Sequence, residues 1–348
     1  MIEAMTFQQQ VLAFAWWLAL WGSLLVYIAL DGADLGAGIF SLFVKDEHER
    51  GAIMAAMAGT WDANETWLVV AGGILFGTFP FVYGSALSYL MIPLIFVLWG
   101  IMIRALSIEL RHLASPRWRR FSDWCFGLSS LAVTFFGGMA VGAFLLGFPL
   151  TSRPGQLPIY SGSSLAFITP FSLWVGIASV VAVTLSGVLF VRARLAKTEP
   201  IRAFAVKWTM TIYYLALLAV AATAAWSALI FPWAYNKWFG PHAWVWWTLL
   251  LLALLAIYQM RRATRQDRDL AAILWFNACA LIMGGSMMAT LFPWLVPNTW
   301  TIWQGASPQV SLVTFSMAMA GFLPVIVMLN VYQIWVFRAR ITKLSNYH

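Results

Sequence analysis

Long apolar runs dominate this chain and constrain its fold more than any other feature. Each has about 20 residues, the length that an α-helix needs to cross a bilayer. Of the 348 residues, 62% are hydrophobic and 10% are charged. About nine spans are predicted, at 8–30, 52–78, 80–103, 122–148, 167–191, 205–230, 243–260, 270–292 and 310–337. The sequence therefore predicts an all-α, polytopic transmembrane helical bundle in a lipid bilayer, and neither a soluble domain nor a β-barrel.

Basic residues fall in alternate segments between these runs. With the N-terminus outside, the outer segments hold only Arg153 and Lys237. The inner segments hold Lys45, Arg50, Arg104, Arg111, Arg117, Arg119, Arg120, Arg192, Arg194, Lys197, Arg202, Lys207, Arg261, Arg262, Arg265, Arg268, Arg338, Arg340 and Lys343. This asymmetry follows the positive-inside rule and predicts a cytoplasmic C-terminus. Membrane topology thus explains the net charge of +8, and no nucleic-acid partner is expected.

A Phe-Pro pair recurs at the predicted outer end of every second span. The pairs are Phe79-Pro80, Phe148-Pro149, Phe231-Pro232 and Phe292-Pro293. Because proline interrupts helical hydrogen bonding, each pair predicts a helix end. The recurrence suggests helix hairpins stacked into two four-helix bundles plus one extra helix. We expect a single transmembrane domain over 1–348, with sub-bundles over about 1–150 and 151–309 and a final helix over about 310–337. The first apolar run has no preceding basic residue or cleavage site, so we expect it to be retained.

An acidic pair lies inside the second predicted span, where charge is costly. Asp62 follows Arg50 by 12 residues, or about 18 Å of continuous helix, which predicts a position near the middle of the bilayer. Glu65 lies one turn further on the same face, with Thr66 beside Asp62. Two adjacent carboxylates in a low dielectric are expected to hold at least one proton, so the pair can pass protons. The structural alternative is a protonated acid that locks the bundle by an interhelical hydrogen bond.

A polar cluster is predicted at the inner end of the first span. Asp31 and Asp34 lie one turn apart in ALDGADLGAGIF, and Arg104, Glu109 and Asp123 fall at about the same inner level. Ion pairing at the membrane edge explains this inner polar cluster, and so does a mouth that feeds protons toward the acidic pair. The remaining acids are expected to be solvated charges: Glu3, Asp46, Glu47, Glu49, Glu199, Asp267 and Asp269.

Histidines and tryptophans bear on which cofactors the chain could hold. Membrane haems usually need a histidine on a helix. The four histidines are His48, His112, His242 and His348, and all fall in predicted loops or ends. We therefore expect this chain to ligate no haem, and no metal site is predicted. Tryptophans deep in the spans are expected to pack against helices, although a quinone or lipid slot would also suit them. They are Trp61, Trp67, Trp99 and Trp174.

Two motifs resemble subunit II of the cytochrome bd-type quinol oxidases. They are DGxDLGxG, in WWLALWGSLLVYIALDGADLGAGIF at 16–40, and WDxNExWL, in WDANETWLVVAGGILFGTFPFVY at 61–83. RALSIELRH at 104–112 and RWRRFSDW at 117–124 also match. The similarity covers the first 150 residues well, and continues in LFPWLVPNT at 291–299, in the helix count and in the closing helix. The ANET wording and the modest length are closest to the cyanide-insensitive branch.

The resemblance implies a function that the composition does not show. Family members pair with a larger subunit I, which holds haems b and d, oxidises quinol and reduces dioxygen to water with cytoplasmic protons. Subunit II supports that partner and contributes to a proton path. Asp62 matches the intramembrane aspartate that would carry the proton, and Trp61 is its neighbour. The residues that match the family's polar inner cluster are Asp31, Asp34, Arg104 and Asp123.

Further expectations follow from the same resemblance. They are a bacterial inner membrane location, a small single-span subunit as an additional partner, and the structural quinone that some members hold in subunit II. No residue of this chain is assigned to the quinone.

Two other functions would also explain acids inside a membrane. A stand-alone proton-coupled transporter should show inverted repeats with paired broken helices. Pro93 and Pro324 interrupt spans, but at positions that are not equivalent. The other alternative is a structural scaffold without a proton role. The oxidase interpretation differs from both because it requires a haem-bearing partner.

Overall fold

The computed structural model describes residues 5–111, 113–151 and 159–337 of the chain. Some residues that carry sequence predictions lie outside this range, namely Glu3, His112, Arg153, Arg338, Arg340, Lys343 and His348. The helices are α1 (Phe7–Ser41), α2 (Glu47–Met57), α3 (Trp61–Thr78), α4 (Pro80–Tyr89), α5 (Met91–Arg111), α6 (Pro116–Leu145), α7 (Pro170–Arg194), α8 (Pro200–Ile230), α9 (Pro232–Phe239), α10 (Ala243–Arg265), α11 (Asp269–Leu291), α12 (Ile302–Gly305) and α13 (Gln309–Val336). The predicted all-α bundle is confirmed.

Two short antiparallel hairpins interrupt the helical pattern at the predicted outer side. β1 (Leu150–Thr151) pairs with β2 (Ile159–Tyr160), and β3 (Trp294–Val296) pairs with β4 (Trp300–Thr301). Both hairpins follow a Phe-Pro pair. The other two Phe-Pro pairs lie directly after α3 and α8, so each of the four predicted helix ends is confirmed.

Eight of the described helices are long and apolar enough to cross a membrane. They are α1, α5, α6, α7, α8, α10, α11 and α13. The continuous span predicted over 52–78 is wrong, because the chain forms α2 and α3 with a break at residues 58–60. Gly59 has a low helix propensity, and the Thr60 hydroxyl donates to the carbonyl of Met57, which competes with helical pairing. Nine crossings and the orientation of the chain remain predictions.

The span predicted over 80–103 is also divided. α4 ends at Tyr89, and α5 begins at Met91 and continues to Arg111. Pro93 lies in the first turn of α5. Because proline has no backbone N–H, residue 93 cannot donate a helical hydrogen bond to the carbonyl of Tyr89. The helix therefore restarts rather than continuing from α4.

The helices pack around α1, α6 and α7. α1 contacts α3, α6 and α7, and α6 also contacts α5. α7 contacts α8 and α11, α11 contacts α10, and α13 packs against α1 and α3. The proposed division into two sub-bundles and a final helix remains a prediction. All residues from Asp31 to Ser41 of α1 are buried, so the polar end of this helix lies inside the bundle.

α1 and α7 approach each other closely at two glycines. A Cβ on Gly36 would overlap the main chain of Val183, and a Cβ on Gly187 would overlap the main chain of Gly36. Small residues at such crossings let membrane helices pack backbone to backbone.

This crossing predicts a sharp difference between two neighbouring glycines of α1. Gly36→Ala should destabilise the chain by about 3 kcal/mol, because the backbone of α7 must move. Gly32→Ala is the matched control, since a Cβ at Gly32 meets nothing within 4 Å. Size-exclusion chromatography after heating would measure both variants, and equal melting temperatures would contradict the packing described.

Candidate functional site

A buried arginine joins two acids from different helices. Arg104 of α5 donates from Nη2 to Oδ1 of Asp31 on α1 at 2.6 Å, and the same nitrogen contacts Oε1 of Glu65 on α3. The side chains of Arg104 and Asp31 are 0% exposed, and that of Glu65 is 12% exposed. With both acids ionised, the three groups carry a net charge of −1. A buried group of this kind becomes neutral by taking up one proton.

A second link between α1 and α3 lies one turn away. Nδ2 of Asn64 donates to Oδ2 of Asp34 at 2.8 Å, and both side chains are buried. Asp34 follows Asp31 by one helical turn, while Asn64 precedes Glu65 directly. Tyr27 lies one turn before Asp31, close enough to interact electrostatically with the triad of Asp31, Glu65 and Arg104. We call Asp31, Asp34, Asn64, Glu65 and Arg104 the central network.

The central network contains polar atoms without a described partner. Nε and Nη1 of Arg104 are buried and have no hydrogen-bond partner among the residues that the structure describes. Buried polar atoms of folded proteins are almost always paired, either with protein or with ordered water. The interior around Arg104 is therefore chemically suited to bind water.

Asp62 lies beside the central network but is not buried with it. It occupies the first turn of α3, its side chain is exposed, and its charge acts on Glu65. Within the described ranges, its carboxylate makes no hydrogen bond or ion pair. Thr66 does lie beside it and donates to its main-chain carbonyl. The predicted depth of Asp62 was counted along a continuous helix from Arg50, which the chain does not form, so this depth remains a prediction.

The predicted inner polar cluster is two groups rather than one. Asp123 of α6 does not contact Arg104. Its carboxylate instead pairs with Arg111 at 2.7 Å and with Arg50 at 3.0 Å. Glu109 is exposed and pairs with no described residue. Both positions were grouped with Arg104 from their similar level along the chain, but level does not specify which face of a helix a side chain occupies.

A second network lies between α7, α8 and α11. Asp269 accepts from Arg192 at 3.0 Å and from Arg202 at 2.8 Å, and the side chain of Asp269 is 0% exposed. Arg192 also donates to Thr209 at 3.1 Å, and both arginines contact Asp267, whose side chain is 58% exposed. The expectation that Asp269 is a solvated loop charge is therefore wrong. A signal was available, since an acid at a helix N-terminus, as here in α11, is electrostatically favoured.

Histidines in the described part of the chain lie away from the bundle interior. His48 and His242 are exposed at helix ends. Among the described residues, no group of three or more His, Cys, Asp or Glu side chains could hold a metal ion. Neither histidine is placed to ligate a buried haem. Of the deep tryptophans, Trp67 is buried and Trp174 donates to Thr223 at 2.9 Å. Trp99, by contrast, is 58% exposed on this chain, so its packing against another helix remains a prediction.

Similar proteins share nearly the full length of this chain. Cytochrome bd-I ubiquinol oxidase subunit 2 of Escherichia coli strain K12 is 26% identical over 369 residues, which cover 96% of each chain. Cytochrome bd ubiquinol oxidase subunit 2 of Bacillus subtilis strain 168 is 26% identical over 335 residues, covering 91% of this chain and 93% of the relative.

A solved structure shares the fold. A chain of the bd oxidase from Geobacillus thermodenitrificans aligns with a TM-score of 0.75 at 18% identity, covering 94% of this chain and 98% of that chain. The family model described as cytochrome bd terminal oxidase subunit II matches residues 12–337. The chain therefore belongs to the cytochrome bd terminal oxidase subunit II family.

Proposed function

We propose that this chain carries a proton path. The central network transfers a proton to Asp62, and Asp62 passes the proton to a partner subunit. As a family member, the chain is a membrane subunit of a bd-type quinol oxidase, which is an oxidoreductase complex, and it partners with subunit I. In the proposed path, Glu65 and Asp31 exchange a proton beside Arg104. Glu65 then delivers it to Asp62 one turn away.

The exposed carboxylate of Asp62 is the observation that carries this proposal. An ionised side chain facing lipid is costly, by roughly 2.5–3.5 kcal/mol on the insertion scale. A carboxylate at the surface of an apolar helical segment therefore favours a site covered by another protein surface. Because Glu65 connects it to the buried network, Asp62 is suited to pass protons between the two chains.

Arg104 explains how the path can hold an exchangeable proton. One arginine compensates the charge of one of the two carboxylates. The second carboxylate is stable when it is protonated, and it can accept a new proton after it has released one. Water bound at Nε and Nη1 of Arg104 would extend the path toward the inner face. Asp34 and Asn64 hold α1 against α3 and keep the two acids beside Arg104.

The haems of the complex fit the partner subunit better than this chain. His48 and His242 are exposed at helix ends, so neither of these described histidines can ligate a buried haem. We therefore assign haems b and d, and quinol oxidation, to subunit I. The chain is a multi-pass membrane protein. The bacterial inner membrane, the cytoplasmic C-terminus, a small single-span subunit, the cyanide-insensitive branch and a structural quinone remain proposals.

A scaffold without a proton role is the remaining alternative, and Asp62 separates the two. In the purified complex, Asp62→Asn should lower steady-state oxygen consumption by at least about tenfold, since the amide cannot carry the proton. Haem content and subunit ratio should stay unchanged. Asp62→Glu should retain most of the activity.

Glu109→Gln is the matched control, because Glu109 is an exposed acid outside both networks. We expect it to leave oxygen consumption unchanged. Wild-type oxygen consumption by Asp62→Asn would reject the proton path. Loss of assembled complex, without any loss of turnover per haem, would favour the scaffold.

A further inference from the structure

Side chains from other helices bind main-chain carbonyls on both sides of the break between α2 and α3. Nε2 of Gln333 on α13 donates to the carbonyl of Gly59, and Nδ2 of Asn330 donates to the carbonyl of Ala63 at 3.3 Å. Nη2 of Arg194 on α7 donates to the carbonyl of Ala56 at 3.3 Å. Where a helix breaks in a membrane, neighbouring side chains must satisfy the freed backbone groups.

Two amide side chains, Asn330 and Gln333, lie near the C-terminal end of α13, which is mostly apolar. The most apolar 18-residue window of α13 has a mean hydropathy of 2.2, and 6% of that window is buried within the chain. The buried residues of this helix are Leu312 and Asn330. Because most apolar side chains of α13 are exposed, burial of apolar surface contributes little to the contact of this helix with the chain. The hydrogen bond of the buried amide stabilises that contact instead.

Close packing fixes the same contact. A Cβ on Gly59 would overlap the ring of Phe337, so the break and the end of α13 lie against each other with no space for a methyl group. Arg194 donates to the carbonyl of Phe337 as well as to that of Ala56, and so joins α7 to both segments. The break is thus held from two sides.

These contacts lie on either side of Asp62. Gly59 precedes Asp62 by three residues and Ala63 follows it directly. We propose that Asn330 and Gln333 are positioning residues, which hold the first turn of α3 so that Asp62 and Glu65 keep the geometry needed for proton transfer. This inference rests on the proposed proton path, but its structural part can be tested separately.

The test combines hydrogen exchange with turnover in the purified oxidase complex. Gln333→Met and Asn330→Leu remove one donor each at similar size. Amide exchange over residues 56–65 should become about tenfold faster in both variants. Oxygen consumption per haem should fall by about threefold or more, at unchanged haem content. In an Asp62→Asn background, neither substitution should lower turnover further, because both act through Asp62.

Ser316→Ala is the matched control on the same helix. Ser316 bonds Nε1 of Trp16 on α1 at 2.8 Å and does not touch the break, so its loss should leave exchange over 56–65 and turnover unchanged. Should Asn330→Leu fail to assemble, the half-buried Gln333 still provides the measurement with Gln333→Met.

The outcomes separate this inference from the proposed function. Wild-type exchange over residues 56–65 in the Gln333→Met complex overturns the inference. Faster exchange with wild-type turnover overturns the positioning role, and a further loss of turnover in the Asp62→Asn background does the same. If Asp62→Asn alone keeps full turnover, it is the proposed proton path that fails, and the exchange result still decides whether α13 holds the break.

Discussion

Replacing Arg104 with methionine should prevent stable assembly of the complex. Arg104 is fully buried and compensates Asp31 and Glu65, so its removal leaves two acids facing each other without a cation. Removing one partner of a buried ion pair costs about 3–5 kcal/mol, because the charge that remains is not compensated. The yield of complex after membrane extraction and its melting temperature would measure the loss.

A compensating set of substitutions distinguishes charge from packing. Asp31→Asn and Glu65→Gln, combined with Arg104→Met, remove all three charges at nearly constant volume. We expect this triple variant to recover assembly but not oxygen consumption, since the amide at position 65 cannot deliver a proton to Asp62. An Arg104→Met complex with wild-type yield and melting temperature would show that the charges of the triad are not coupled.

Asp269→Asn should destabilise the chain nearly as strongly, although it lies outside the proposed proton path. Asp269 compensates Arg192 and Arg202, and all three side chains are buried. The amide keeps the shape but removes the charge, so two buried arginines are left with the exposed Asp267. We expect a loss of about 3–5 kcal/mol in thermal or denaturant unfolding.

Asp267→Asn is the matched control for this second network. Asp267 contacts the same two arginines, but its side chain is 58% exposed. Its backbone has φ 53, a conformation that asparagine tolerates. Exposed ion pairs contribute less than about 1 kcal/mol, so this variant should remain close to wild type. Equal destabilisation by both substitutions would contradict the importance of burial here.

Helix identity was predictable wherever one physical signal dominated. The apolar runs located the eight long helices, and proline set their ends at Phe231-Pro232 and at the other Phe-Pro pairs. Asp31 and Glu65 were singled out because charge inside an apolar run is costly. These predictions needed only local information, namely hydropathy over about 20 residues and the missing N–H of proline.

Side-chain pairing was not predictable in the same way. Arg104 bonds residues 73 and 39 positions away, so its partners depend on how α1, α3 and α5 pack. The same limit explains why Asp123 was grouped with Arg104 instead of Arg111, and why Asp269 was read as solvated. The break before Asp62 was missed because apolar residues on both sides of Gly59 and Thr60 outweighed two weak helix formers.

Proton uptake by the reduced complex tests the central claim most directly. When the complex with Asp62→Asn, reconstituted in vesicles, meets dioxygen, a pH-sensitive dye on the proposed inner side should report uptake at least about tenfold slower than in wild type. The haem content of the Asp62→Asn complex should equal that of wild type, and the Glu109→Gln control should take up protons at the wild-type rate. Proton uptake at the wild-type rate in the Asp62→Asn complex would contradict a path through this chain.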